Sequence, residues 1–206
     1  MFTPESLALV AITDGLRGGA PDLVARASAA VRGGATMVQL RLKDVDARTM
    51  VEVARALLAA LPSNVVLVVN DRADVAIASG AAGVHVGADD LPPAAIRRIA
   101  PPGFVIGASV GTEAEVAAAA DADYVGIGPV FSTASKHDAG DAIGPARFAQ
   151  LRALCNRPAV AIGGIDAENA ASVMAAGAAG IAVIRAVFAA PDPELAARTL
   201  RRAMSQ

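Results

Sequence analysis

Three features of the 206-residue chain predict its fold class. Short apolar runs alternate with longer stretches of helical spacing. A similar helix-to-strand junction returns before every second run, and no Gly-rich dinucleotide fingerprint follows the first run. Together these predict an α/β protein, a single-domain (β/α)8 barrel of the TIM type over residues 1–206, rather than an open doubly wound sheet.

Taken in order, the expected strands are Leu7–Thr13, Met37–Leu42, Val65–Asn70, Gly83–Val86, Val105–Ala108, Tyr124–Ile127, Ala159–Ile162 and Gly180–Ile184. Each is bounded by turn residues. The helices between them have recognisable starts. Asp46 precedes Met50, Val53, Ala54, Leu57, Leu58 and Leu61 at helical spacing, and Thr112 with Glu115 reads as a capping box. Asp166 is expected to open the seventh helix, and Asp192-Pro193 the last, with proline in its favoured first position. The recurring junctions are Gly34-Ala-Thr-Met-Val, Gly80-Ala-Ala-Gly-Val, Asp121-Ala-Asp-Tyr-Val and Gly177-Ala-Ala-Gly-Ile, at the entries to strands two, four, six and eight.

Composition narrows the partners. Net charge is −2 with pI near 5.7, so there is no basic field for nucleic acid or an anionic membrane, and a small molecule is the expected partner. No apolar run approaches the length of a membrane span, and Pro4, Glu5 and Asp14 interrupt anything resembling a signal peptide. The single cysteine, Cys155, has no intrachain partner and reads as a buried thiol. A cytoplasmic location is expected, and the assembly this reading allows is a homodimer.

The chemistry-bearing residues gather at the ends of the expected strands. In the second, Gln39, Arg41 and Lys43 alternate with Val38, Leu40 and Leu42, so the polar three share one face. A barrel strand has no solvated face, and inward polar groups are tolerated mainly near the mouth. An arginine fork and a lysine point charge suit a diphosphate, and a glutamine can read a heterocycle by donating and accepting. Asn70-Asp71-Arg72 ends the third strand, and Asp89 and Asp90 follow the fourth. Each carboxylate reads singly as a helix cap. Jointly, two carboxylates on adjacent strand ends can serve Mg²⁺, with phosphate and water completing the shell.

After the sixth strand, Gly128 and Pro129 break the run, and Thr133, Ser135 and Lys136 offer two hydroxyls and an ammonium to an oxyanion. Gly163-Gly164 and Ile184-Arg185 follow strands seven and eight, the corner where such barrels bind phosphate. His85 reads as packed and hydrogen-bonded, and His137 as exposed. There is no Ser-His-Asp arrangement, zinc spacing or Cys-His pair.

These stretches resemble the thiamine-phosphate synthase family: Gln39-Leu-Arg-Leu-Lys43, Asn70-Asp71-Arg72, Gly83-Val-His-Val-Gly-Ala-Asp-Asp90, Asp123-Tyr-Val-Gly-Ile-Gly-Pro-Val-Phe131 with Thr133-Ala-Ser-Lys136, and Ala161-Ile-Gly-Gly-Ile165. The resemblance runs through nearly the whole chain in order. It implies a transferase that joins 4-amino-2-methyl-5-hydroxymethylpyrimidine diphosphate to 4-methyl-5-hydroxyethylthiazole phosphate, giving thiamine phosphate and diphosphate. By the same resemblance Gln39, Leu40, Arg41, Leu42, Lys43, Asn70, Ser109 and Lys136 hold the pyrimidine diphosphate. Arg41, Lys43 and Lys136 are then the catalytic cations. Thr133, Ala134, Ser135, Gly164, Ile184 and Arg185 surround the thiazole phosphate, and Asp71 and Asp90 bind Mg²⁺.

The chain departs from the family pattern at three positions. Ala88 stands where a polar residue is common, Ser135 replaces a threonine, and Arg185 replaces a serine. Two other readings remain at this point. A thiazole tautomerase of the same fold would call for a histidine where this chain has Gly111. A noncatalytic regulator that binds thiamine precursors would have lost its metal and diphosphate ligands.

Overall fold

Eight parallel strands close into one barrel in chain order in the computed structural model, which describes residues 2–133 and 140–205. They are β1 (Leu9–Ile12), β2 (Met37–Leu40), β3 (Val66–Asn70), β4 (Gly83–Val86), β5 (Val105–Val110), β6 (Tyr124–Ile127), β7 (Ala159–Ile162) and β8 (Gly180–Val183). The ring is shut by β8 pairing with β1 through Leu9↔Ile181, Val10↔Ala182 and Ala11↔Val183.

Alternation along each strand sorts the side chains into two cores. Val10, Ile12, Met37, Val66, Val68, Val105, Tyr124, Val160 and Ala182 fill the barrel interior. Their neighbours, such as Val38, Leu40, Leu67, Val69, Val84 and Ile106, pack outward under the helices. Among those helices are α1 (Gly19–Arg32), α2 (Ala47–Ala60), α3 (Ala73–Ser79), α4 (Pro93–Ile99), α5 (Glu113–Ala118) and α6 (Gly144–Leu154). The chain continues through α7 (Ala170–Ala175), the one-turn α8 (Arg185–Phe188) and α9 (Pro193–Ala203). No described helix is long and apolar enough to cross a membrane.

The sequence starts of these helices are recovered in detail. Asp46 accepts from the Thr49 amide at 3.0 Å, and Asp192 from that of Leu195 at 3.0 Å. Thr112 and Glu115 exchange the expected reciprocal bonds. Asp166 is a correction: its Oδ1 accepts from the Glu168 and Asn169 amides, so it closes a turn, and α7 itself begins only at Ala170. The recurring junction has a physical basis in three of its four copies. Gly34, Gly80 and Gly177 take φ of 111°, 82° and 90°, the left-handed region glycine tolerates. The following alanine then reaches back five residues: Ala35 to Ala30, Ala81 to Ala76 and Ala178 to Val173. The Asp121 copy lacks this geometry, and there Ala122 bonds to Ala119.

Four strands are shorter than expected, β3 by Val65 alone, while β5 runs two residues longer, to Val110. Leu7 lies in a 3-10 turn, Pro4–Leu7, and its side chain seals the interior from below. Ile184 lies beyond β8 and precedes α8. At β2 the ladder stops at Leu40, because fully buried Thr13 takes over the pairing with its side chain. Thr13 Oγ1 accepts from the Arg41 amide at 2.8 Å and donates to the Arg41 carbonyl at 2.9 Å. This clasp holds the segment that follows β2 against the end of β1. Thr13→Val keeps the shape but leaves both Arg41 backbone groups without that partner. Thermal unfolding should report a loss of about 1–3 kcal/mol. In a chain of this size that corresponds to a melting temperature lower by about 2–12 °C. An unchanged melting temperature would show that the clasp carries no stability.

Candidate active site

Polar inward positions concentrate at the carboxyl ends of the strands. The register Asn70↔His85↔Gly107↔Tyr124 runs across β3 to β6 as one row. Gln39 lies beside Ile12 and Val68, both interior residues, and is itself 97% buried, with 3% exposure. Ser109 is exposed, on the inward face of β5 two positions beyond Gly107. Gln39, Asn70 and Ser109 are thus brought to one end of the barrel by alternation and stagger alone.

Arg41 and Lys43 lie just past β2 in the loop rather than within a continuous strand, Arg41 half-buried and Lys43 exposed. The Thr13 clasp sets where that loop leaves the barrel. Leu40 and Leu42 are buried in the layer between sheet and helices, so their side chains face away from the interior. Only their backbone is placed to meet a ligand at the mouth.

The two candidate metal carboxylates follow adjacent strands. Asp71 takes φ of 64°, a left-handed conformation that Asp adopts more readily than most residues, and its amide donates to the His85 carbonyl at 2.8 Å. That bond extends the β3–β4 pairing by one step and fixes where Asp71 departs. Asp90 Oδ2 accepts from the Gly87 amide at 2.7 Å, which folds the loop after β4 back on itself and leaves Oδ1 outside that bond. Two hard carboxylate donors on neighbouring strand ends fit a magnesium-type site. Among the described residues, no cluster of three or more His, Cys, Asp or Glu competes as a metal cage. Asp89 is exposed, and Arg72 is taken up in a surface fork with Asp74, at 2.8 and 2.6 Å. That pairing holds the Asp74 carboxyl below the usual carboxylate range.

Loops six and seven are laced together. Gly128–Pro129 is a cis peptide. Beyond it the Val130 amide donates to Ile162 O and the Phe131 amide to Gly163 O, at 2.9 and 3.0 Å. Gly163 and Gly164 both have positive φ, and a Cβ on either would strike this strap, at Pro129 for the first and at Phe131 and Ser132 for the second. The paired glycines therefore serve close backbone approach, which puts Gly164 against the segment leading into Thr133. Ala134, Ser135, Lys136 and His137 lie outside the described residues. Ile184 is half-buried, and Arg185 is the exposed first residue of α8. Arg26 of α1 donates to the carbonyls of Phe188 and Ala190 at 2.6 and 2.7 Å, so the far end of that short helix is anchored. Among the described residues Arg185 forms no ion pair.

The sequence reading did not find the buried network beneath the mouth. His85 Nδ1 lies 3.1 Å from Tyr124 Oη, and Nε2 lies 3.1 Å from Ser109 Oγ. Burial, with a lesser contribution from Asp123, pushes the Tyr124 phenol well above its ordinary value, so it stays protonated. Two features of the sequence could have signalled this network. Gly107 and Gly126 sit at inward positions beside two large residues, leaving space that a pair of side chains can cross. His85 is packed and hydrogen-bonded as expected, whereas Cys155 is half-buried rather than buried and donates to Leu151 O. A hollow of about 330 Å³ lined by Arg152, Cys155, Asn156 and Arg157 opens at the amino-terminal end of β7, away from these strand ends.

A closed (β/α)8 barrel with inward polar groups, carboxylates after β3 and β4 and laced loops after β6 and β7 at its carboxyl end has the form of a TIM-barrel enzyme. The sequence model of the thiamine monophosphate synthase family matches residues 9–187, and the chain belongs to that family. It is 49% identical over 201 residues to a thiamine-phosphate synthase of Azorhizobium caulinodans, covering 96% of this chain and 95% of the relative. The corresponding protein of Xanthobacter autotrophicus is 48% identical over 207 residues, with 99% and 98% covered. A solved thiamine phosphate pyrophosphorylase from Pyrococcus furiosus superposes with a TM-score of 0.88 at 38% identity, covering 98% of this chain and 97% of that one. The activity is accordingly that of a transferase of thiamine biosynthesis.

Proposed function

We propose that this chain condenses 4-amino-2-methyl-5-hydroxymethylpyrimidine diphosphate with 4-methyl-5-hydroxyethylthiazole phosphate, releasing diphosphate. The observation that carries the reading is the coincidence of the family match over residues 9–187 with polar residues gathered at one end of the barrel. Gln39, Asn70 and Ser109 orient the pyrimidine, and Arg41 and Lys43 face the diphosphate; the family resemblance adds Lys136, which lies outside the described residues, to that role. The thiazole phosphate is assigned to Thr133, Gly164 and the Ile184–Arg185 backbone, with Ala134 and Ser135 added by the family resemblance alone. Bond breaking at the pyrimidine methylene builds positive charge on carbon and negative charge on the departing diphosphate. What the protein must supply is neutralisation of that diphosphate and alignment of the thiazole nitrogen, not a strong base. Asp71 and Asp90 would hold Mg²⁺, which when bound supplies further charge neutralisation at the leaving group. The location is cytoplasmic, and a homodimer is the assembly consistent with this reading.

The test is to incubate the purified protein with both precursors and Mg²⁺ and assay thiamine phosphate and diphosphate together. Stoichiometric appearance of both is expected. If neither forms, the reading falls. The tautomerase alternative has no support from position 111, where Gly111 has no side chain and its N–H is committed to Glu115 at 2.6 Å.

A further inference from the structure

Beneath the mouth, three side chains from three strands form a line through the barrel. Tyr124 of β6 is 1% exposed, and its ring rests on Phe2, with centroids 5.9 Å apart. His85 of β4 reaches it across β5 only because Gly107 has no side chain. A Cβ there would collide with the Tyr124 ring and with His85 Nδ1. Gly126 clears the other side, since a Cβ on it would come within 3.2 Å of the imidazole Cε1. His85 then continues to Ser109, the first of the three to be exposed.

The direction of the hydrogen bonds follows from what each group can do. A phenol both donates and accepts, and a neutral imidazole carries its proton on one nitrogen while the other accepts. Among the described residues, the Tyr124 hydroxyl has His85 as its side-chain hydrogen-bond partner, and Tyr124 is buried in the apolar wall of the barrel interior, in one cluster with Val66 and Val105. If Nδ1–H donated to the phenol, the phenol's own proton would be left in that apolar wall, and a buried unsatisfied donor bears its full desolvation cost. The phenol therefore donates to Nδ1. Nε2 then carries the ring proton and donates to Ser109 Oγ. The Ser109 hydroxyl, already accepting from below, has its proton free to point outward.

We propose that Tyr124 acts as a positioning residue that fixes His85 in its Nε2–H form, so that Ser109 is presented to the mouth as a hydrogen-bond donor. On the synthase reading, on which the kinetic part of this inference rests, the group that receives this bond is an acceptor on the pyrimidine diphosphate. The task of the relay is to hold one hydroxyl in one orientation before substrate arrives.

Two measurements test it. The chain has two histidines, so the ring nitrogen shifts of isotope-labelled protein can be assigned. At a pH well above the ordinary imidazole range, His85 in the ligand-free protein should show a protonated Nε2 and an unprotonated Nδ1. In Tyr124→Phe, which removes only the hydroxyl, those shifts should move toward the average of exchanging tautomers. A protonated Nδ1, or averaged shifts in the unaltered protein, overturns the relay whether or not the chain is a synthase.

In kinetics, Tyr124→Phe should raise KM for the pyrimidine diphosphate about fivefold, the worth of one neutral hydrogen bond, and leave that for the thiazole phosphate unchanged. In a Ser109→Ala background the same substitution should add nothing further. Additive losses, or equal effects on both substrates, would show that Tyr124 acts through packing and not through Ser109. If no substrate turns over, the function is refuted and the nitrogen shifts alone decide the relay.

Discussion

Asp90→Asn should lower turnover on the order of a hundredfold or more and raise the Mg²⁺ concentration needed for half-maximal rate, with no change in fold. The Gly87 amide donates to one carboxylate oxygen at 2.7 Å, and an asparagine carbonyl can accept the same bond. The loop after β4 therefore keeps its shape. What changes is the other oxygen, replaced by an uncharged N–H donor where the proposed metal site needs a carboxylate ligand. A metal that stabilises leaving-group charge is worth several kcal/mol, and each 1.36 kcal/mol is tenfold in rate. The melting temperature should move little, as for a surface substitution that keeps its hydrogen bond. Calorimetric titration of Mg²⁺ in the presence of diphosphate supplies a readout that does not depend on turnover. Undiminished rate with unaltered metal dependence would remove Asp90 from the metal site, and Asp71 with it as a pair.

Much of the fold was readable because a barrel of this kind writes its pattern locally. Apolar runs of four to six residues, capping residues such as Asp46 and Thr112, and the Gly34, Gly80 and Gly177 junctions each record a nearest-neighbour requirement of the backbone. Those requirements survive in a single sequence. The strand limits were less legible, because they depend on a partner far along the chain. Alternation through Gln39, Arg41 and Lys43 continues as though the strand did, yet the ladder is replaced after Leu40 by the hydroxyl of Thr13, 28 residues away. Nothing near position 41 announces that exchange.

The candidate site divides the same way. Residue types that bind anions or metals at strand ends are visible from the sequence, since their chemistry is local to one loop. Leu40 and Leu42 show the limit, because a motif names them with their neighbours while the pleat turns their side chains into the outer core. The Tyr124–His85–Ser109 line was hidden for another reason. Its members come from three strands, and the feature that joins them is the missing side chain of Gly107. An empty position has no motif of its own. It becomes informative only when the register places it between two large groups.

Arg185→Ser should raise KM for the thiazole phosphate roughly 10- to 100-fold while leaving that for the pyrimidine diphosphate nearly unchanged. The range corresponds to about 1.5–3 kcal/mol for a hydrogen bond to a charged group. Arg185 opens α8 at the exit of β8, exposed and without an ion pair among the described residues. An outward pairing with a neighbouring helix, the competing expectation for this side chain, is thus not formed there. The guanidinium is exposed at the exit of β8, the strand beside β7 whose following loop carries Gly164. Its substitution should not disturb the loop, because α8 is tied at its far end by Arg26 to Phe188 O and Ala190 O. Selective loss for the thiazole phosphate would assign the guanidinium to that phosphate. Equal loss for both substrates would mean that α8 had shifted despite the Arg26 anchor. Unchanged kinetics would leave only the backbone of position 185 to meet the phosphate.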